Sequence, residues 1–198
     1  IERLTHQPLS FSVSETTEGV HIHIIDAELM GKGEKEKKDL YIEGVQNNGI
    51  INHYEYIINS EGTIEIRHVL KPEGKMPLWF PRIGLTLTVS DALDQVKWYG
   101  RGPQENYPDR KTGYPMGIYA STVQAMYEPY LMPQDYGLRT DVRWLQLTTD
   151  KGIGLQFKMN EWFNFNIYPY STDNLTKAMY TYQLQKQKGM TLNLDYAT

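Results

Sequence analysis

The residues best able to do chemistry in this sequence lie between Trp98 and Arg110, in the run Trp-Tyr-Gly-Arg-Gly-Pro-Gln-Glu-Asn-Tyr-Pro-Asp-Arg. Two carboxylates, Glu105 and Asp109, stand there beside the guanidinium groups of Arg101 and Arg110 and the amide of Asn106. A carboxyl group can give or take a proton, or accept a fork of hydrogen bonds from an arginine. Loops carried by a rigid sheet often present such groups to a ligand. Equally, paired charges can hold a corner of a fold, provided that each is satisfied by the other. The second reading gathers Arg101, Glu105, Asp109, Arg110, Arg139, Asp141 and Arg143 into a structural ion network with no catalytic residue. A further pair, His21 and His23, is spaced to share one side of a strand, as metal ligands could be. No third ligand is near them in sequence, so no metal site is assigned.

Strands must position these groups. Ile83, Leu85, Leu87 and Val89 alternate with Gly84, Thr86 and Thr88, the period-2 pattern of a strand with one buried face. Val96 and Trp98 continue it after a turn at Ser90-Asp91, and Gly100, Gly102, Pro103 and Pro108 then end regular structure. Upstream, the pattern predicts strands over Ser10–Val13, Val20–Leu29, Leu40–Glu43, Ile50–Ile58 and Thr63–Leu70. Turns at Asn47-Asn48-Gly49 and Ser60-Glu61-Gly62 separate the last three. The charged stretch Gly31–Asp39 reads as a solvated hairpin tip. Downstream, an edge strand is expected at Gly117–Thr122 and a hairpin over Val142–Thr148 and Ile153–Met159. Further strands are expected at Phe163–Tyr168, Tyr180–Leu184 and Met190–Asp195. Ser171–Met179 is the one helical segment, with an N-cap at Ser171–Asp173. Pro-rich connectors at Lys71–Pro81 and Met126–Gly137 lie over the sheets or against a neighbouring domain. Strand after strand with turns between them implies an all-β antiparallel sandwich over residues 1–198 as one domain, with at most one short helix.

Composition narrows the function classes. The chain has 198 residues, 40% of them hydrophobic and 12% aromatic, enough for a sizeable core. Its 20 basic and 24 acidic side chains leave a net charge of −4, which argues against nucleic acid or an anionic membrane as partner. Without cysteine there is no disulfide, zinc–thiolate site or thiol nucleophile. No apolar run approaches the roughly 20 residues of a spanning helix. The sequence begins with Ile1 and shows no leader, and so reads as an excised segment of a longer protein whose compartment it leaves open.

The run from Trp98 resembles a signature of the large family 2 β-galactosidases, in their C-terminal, small-chain domain. Trp98, Gly100, Gly102, Pro103, Glu105, Asn106, Tyr107, Pro108, Asp109 and Arg110 all fit the pattern. So do Pro81–Gly84 before it, and Tyr127, Pro129, Tyr130, Pro133, Gln134, Gly137 and Arg139 after it. Asp141–Trp144 and Leu192–Asp195 extend the match, which is strong over Pro81–Tyr196 and weaker over Gln7–Leu70.

The resemblance implies a large two-sheet supersandwich of galactose-mutarotase-like type. It also implies a parent enzyme that hydrolyses terminal β-galactosides, of bacterial cytoplasmic or periplasmic kind. In that family both catalytic glutamates sit on a separate (β/α)8 barrel, which this strand pattern does not contain. The expected partners are the remaining domains of the parent, with the β-galactoside met indirectly. A homo-oligomeric parent is compatible. No cofactor is expected in this chain, although the parent could use a divalent or monovalent cation. In the family, an aromatic residue reaching the barrel follows the Leu-Asn-Leu-Asp-Tyr strand; the sequence ends at Thr198, so that contact is not carried over. Trp98 and Trp144 are expected in the core, whereas Trp79, Trp162 and Glu105 are the candidates for touching sugar. A free-standing carbohydrate-binding module is the alternative. An aldose epimerase is suggested only by fold analogy.

Overall fold

The computed structural model describes residues 9–16, 19–24, 49–60, 62–74, 78, 80 and 82–197. The chain divides into two compact units, Ile1–Gly31 with Pro81–Thr198, and Lys32–Phe80. Strands β1 (Leu9–Thr16) and β2 (Gly19–Ile24) belong to the first unit, and β3 (Gly49–Ile58) and β4 (Ile64–Glu73) form a hairpin in the second. In that hairpin Gly62, at φ 80°, and the Asn59 side chain close the turn. Expected features at 25–48, including the strand Leu40–Glu43 and the charged tip, lie outside the described residues, as does Trp79.

The first unit is built from two sheets. One holds β2, β1, β5 (Ile83–Val89), β12 (Met190–Ala197), β11 (Phe163–Tyr168) and β8 (Arg139–Val142), in that order. The other holds β10 (Gly154–Phe157), β9 (Trp144–Thr148), β6 (Gln95–Arg101) and β7 (Met116–Thr122). All pairings are antiparallel except β1 with β5, which run parallel through Leu9↔Leu87 and Ser10↔Thr88. The chain is therefore all-β, with a sandwich core between the two sheets. Leu87 and Val89 meet Val96, Trp98, Leu145, Leu147, Phe163, Phe165, Leu192 and Leu194 there. Trp98 is fully buried, sits edge-on to Phe165 at 5.9 Å, and donates its indole N–H to the Arg101 carbonyl at 3.0 Å. The core expectation holds for Trp98 but not for Trp144. Leu145 and Leu147 take the inner face of β9, so alternation turns Trp144 outward beside Tyr99, half-buried.

Three expected elements differ. The strand beginning at Val142 is two strands: the chain leaves the six-stranded sheet after Val142 and enters the four-stranded one at Trp144. Asp141, at φ 56°, makes the corner, and the Arg143 N–H bonds to the Tyr99 carbonyl at 2.8 Å. The helix α1 is shorter than expected, Thr172–Lys177. Ser171 caps its Asn174 N–H and Leu175 is buried. Tyr180–Leu184 is not a strand but contains a 3-10 turn, Thr181–Gln183. The Gln183 side chain accepts the Met179 and Tyr180 N–H groups at 2.7 and 3.1 Å, which removes them from any ladder.

At the crossing, β6 runs against the corner so closely that a side chain on Gly100 would meet Val142 Cγ2 at 2.8 Å and its Cα at 3.0 Å. Gly100→Ala is expected to cost about 1–3 kcal/mol by forcing the strands apart. A urea midpoint unchanged from wild type would contradict that packing.

Candidate functional site

The loop after β6 places Glu105 beneath the Tyr-rich segment 126–137. Its carboxylate is buried and accepts the Gly137 N–H at 2.8 Å, the Tyr107 hydroxyl at 2.9 Å, Arg110 Nη2 at 3.1 Å and the Tyr130 hydroxyl. Burial works to raise its pKa, but these four donors outweigh it and hold the group below its ordinary value. Asn106, fully buried beside it, ties the loop to β8. Its N–H donates to the Leu138 carbonyl, and its Oδ1 accepts the Thr140 N–H and hydroxyl at 3.1 and 2.6 Å.

The expected ion network resolves into separate centres. Asp141 forms the second, taking Arg101 Nε at 2.5 Å and Lys111 Nζ at 2.7 Å; these partners overcome burial and lower its pKa. Arg139 and Arg143 make no carboxylate contact among the described residues. Buried Arg139 donates instead to the carbonyls of Pro103 and Gly137, at 3.0 and 2.9 Å, with its guanidinium 5.5 Å from the Trp98 ring centre. Burial lowers its pKa to about 10. Arg143 donates to the Asp141 carbonyl at 2.8 Å and lies over Tyr99 and Trp162 at 5.2 and 4.1 Å. Asp109 is exposed and joins none of these centres. Of the sugar candidates, Trp162 is 58% exposed, Glu105 is enclosed by its donors, and Trp79 is not described.

A third centre was missed in the sequence. Asp195 accepts Arg82 Nη2 and Nε at 2.6 and 2.9 Å, while Arg82 Nη1 reaches Asp135 at 2.5 Å. The Asn166 amide donates to Asp135 at 2.8 Å and to the Tyr136 carbonyl at 3.0 Å. Asn193 bonds in turn to Asn166, Tyr168 and Thr86. Thr86, Asn166, Tyr168, Asn193 and Asp195 alternate with the core residues of β5, β11 and β12, so they occupy the outer face of that sheet; all but Thr86 are buried there, while Arg82 and Asp135 are exposed at its edge. The available signal was Leu192-Asn193-Leu194-Asp195, two polar residues at alternate positions in an otherwise apolar strand.

The arrangement can bind and orient loops, and its carboxylates are occupied. No three His, Asp or Glu side chains come together as a metal set among the described residues, so none is assigned to a cation. Fold and site define a two-sheet β-sandwich whose long loops are pinned by enclosed charge. The chain belongs to the β-galactosidase small-chain family: the family model described as "Beta galactosidase small chain" matches residues 9–198. A protein named beta-galactosidase from Priestia megaterium is 38% identical over 141 residues, 71% of this chain and 14% of that protein. One of the same name from Vibrio cholerae is 39% identical over 115 residues, 58% of this chain and 10% of its own length. Another from Psychromonas ingrahamii is 33% identical over 147 residues, 74% and 13%. The chain thus spans only a small part of these relatives.

The two depressed carboxylates lose their stabilising effect in acid. Each titrates lower when folded, so its contribution is complete above its ordinary value, 4.5 for Glu105 and 3.8 for Asp141, and is lost as pH falls through the folded value. Asp195, raised chiefly by burial, has the opposite sign: its contribution grows as pH falls towards 3.8. Glu105→Gln is expected to lower stability at neutral pH by about 2–3 kcal/mol and to flatten the loss below pH 4.5. Urea titrations of both proteins across that range check it; parallel pH profiles would count against the ionised carboxylate.

Proposed function

We propose that this chain is a non-catalytic sandwich component of a family 2 β-galactosidase, packing on the catalytic domain and bordering its sugar pocket. The observation that carries the reading is the state of Glu105. Glycoside hydrolysis uses two carboxyl groups about the scissile bond, and the proton donor of the pair needs a raised pKa. Glu105 has four donors on it and a lowered pKa. Asp141 is lowered in the same way by Arg101 and Lys111, and Asp195, though raised by burial, is held in an ion pair with Arg82. The names of the relatives supply the reaction of the whole enzyme, hydrolysis of β-galactosides, and the small share of their length matched here leaves ample polypeptide to perform it.

The purified chain is expected to give no turnover of a chromogenic β-galactoside, while the complete enzyme hydrolyses it. Hydrolysis by the chain alone, abolished by Glu105→Gln, would refute the reading.

A further inference from the structure

The two sheets are covered unequally. Over β11 and β12 both faces are buried, Phe165 and Leu192 inward, Asn166, Thr191 and Asn193 outward. Among the described residues, only the inner face of the four-stranded sheet is buried. Its outer face carries a row in direct register across three strands, Ile118–Tyr99–Trp144. Ile118 is 63% exposed, and exposed Met116 and Trp162 flank the row. Arg143 ties these together, stacked over Tyr99 and Trp162 with Nη1 3.9 Å from Met116 Sδ.

We propose that this outer face is where the rest of the β-galactosidase polypeptide docks, an inference that rests on the reading above. Tyr, Trp, Met and Arg are the residue types enriched in the buried centres of protein interfaces, and Tyr, Trp and Arg supply most hot spots. Stacking on two rings holds Arg143 in place before any partner arrives, which lowers the ordering cost of binding. Its Nε and Nη2 make no bond to a described residue, so the docking segment sets a carboxylate or carbonyl group against them. Charge argues against a second copy of the same face. Strands β6, β7, β9 and β10 contain no Asp or Glu, and exposed Lys97 lies beside the row, so face-to-face copies would oppose like charges. A sugar platform is the poorer fit, because Ile118 and Met116 offer nothing to hydroxyl groups. The relatives, of which this chain matches 10–14%, carry polypeptide enough to cover the face.

The test is oxidative footprinting of the intact enzyme at Met116, Trp144 and Trp162, with lysine cross-linking from Lys97. Ile118→Lys is compared with Tyr182→Lys, at a 79% exposed position off this face. Docking predicts that the three side chains resist oxidation in the native enzyme relative to the urea-unfolded one. It also predicts that Ile118→Lys restores their oxidation while Tyr182→Lys does not, and that Lys97 links to peptides outside these 198 residues. Native oxidation of Met116 and Trp162 as fast as in the unfolded enzyme overturns the proposal. So does a Lys97–Lys97 link, or protection that appears only with added galactose or lactose. Should Ile118→Lys fail to fold, the wild-type footprint and cross-links still decide. Hydrolysis by the chain alone is a separate measurement, so failure of the docking surface and failure of the non-catalytic reading are told apart.

Discussion

A charged carboxylate beneath a loop persists only if several donors converge on it, and Glu105 imposes that condition on separated stretches of chain. Tyr107 and Arg110 come from its own loop, Tyr130 and the Gly137 N–H from the segment that precedes β8. None of these stretches has a ladder partner of its own over most of its length. The carboxylate does for them what strand pairing does for the sheets. Asn106 adds a second anchor one residue on, so the loop is held to β8 from both sides of the same peptide.

Enclosed polarity recurs on the outer face of the six-stranded sheet. Asn166, Asn193, Tyr168 and Asp195 all point away from the core, yet all are buried. Each carries a partner from another strand or from the covering loop. This face is specified by hydrogen-bond geometry, and the inner face by volume. A sheet with two kinds of covered face needs both kinds of complementarity, and its covering layer is rich in tyrosine: Tyr130 gives its hydroxyl to Glu105, while Tyr136 packs its ring against Tyr127 and Tyr168.

Much of the fold is legible as period-2 alternation. Residues 83–89 and 163–168 read as strands because core and outer residues alternate without interruption. The break at Arg143 was not legible, since Val142 and Trp144 to Thr148 keep a strand-like pattern across the corner; only the Asp at 141, a residue that tolerates positive φ, hints at it. Tyr180–Leu184 misled because its aromatic residues suit strands, while the Gln183 side chain bonds its own neighbours instead. In the site, the motif pointed to Glu105, Arg101 and Asp141 but not to who pairs with whom. Spacing along the chain cannot show that Arg139 meets carbonyl groups, or that Arg82 is the guanidinium facing Asp195.

Asp141 meets two demands that few side chains satisfy together. Its backbone lies in the left-handed region, open to glycine and, at modest cost, to asparagine and aspartate. Its side chain must also bring a negative charge to Arg101 and Lys111. Glycine and asparagine pass the first filter and fail the second; glutamate does the reverse. The vocabulary at this hinge between layers therefore shrinks to a single letter, set by conformation and electrostatics acting independently.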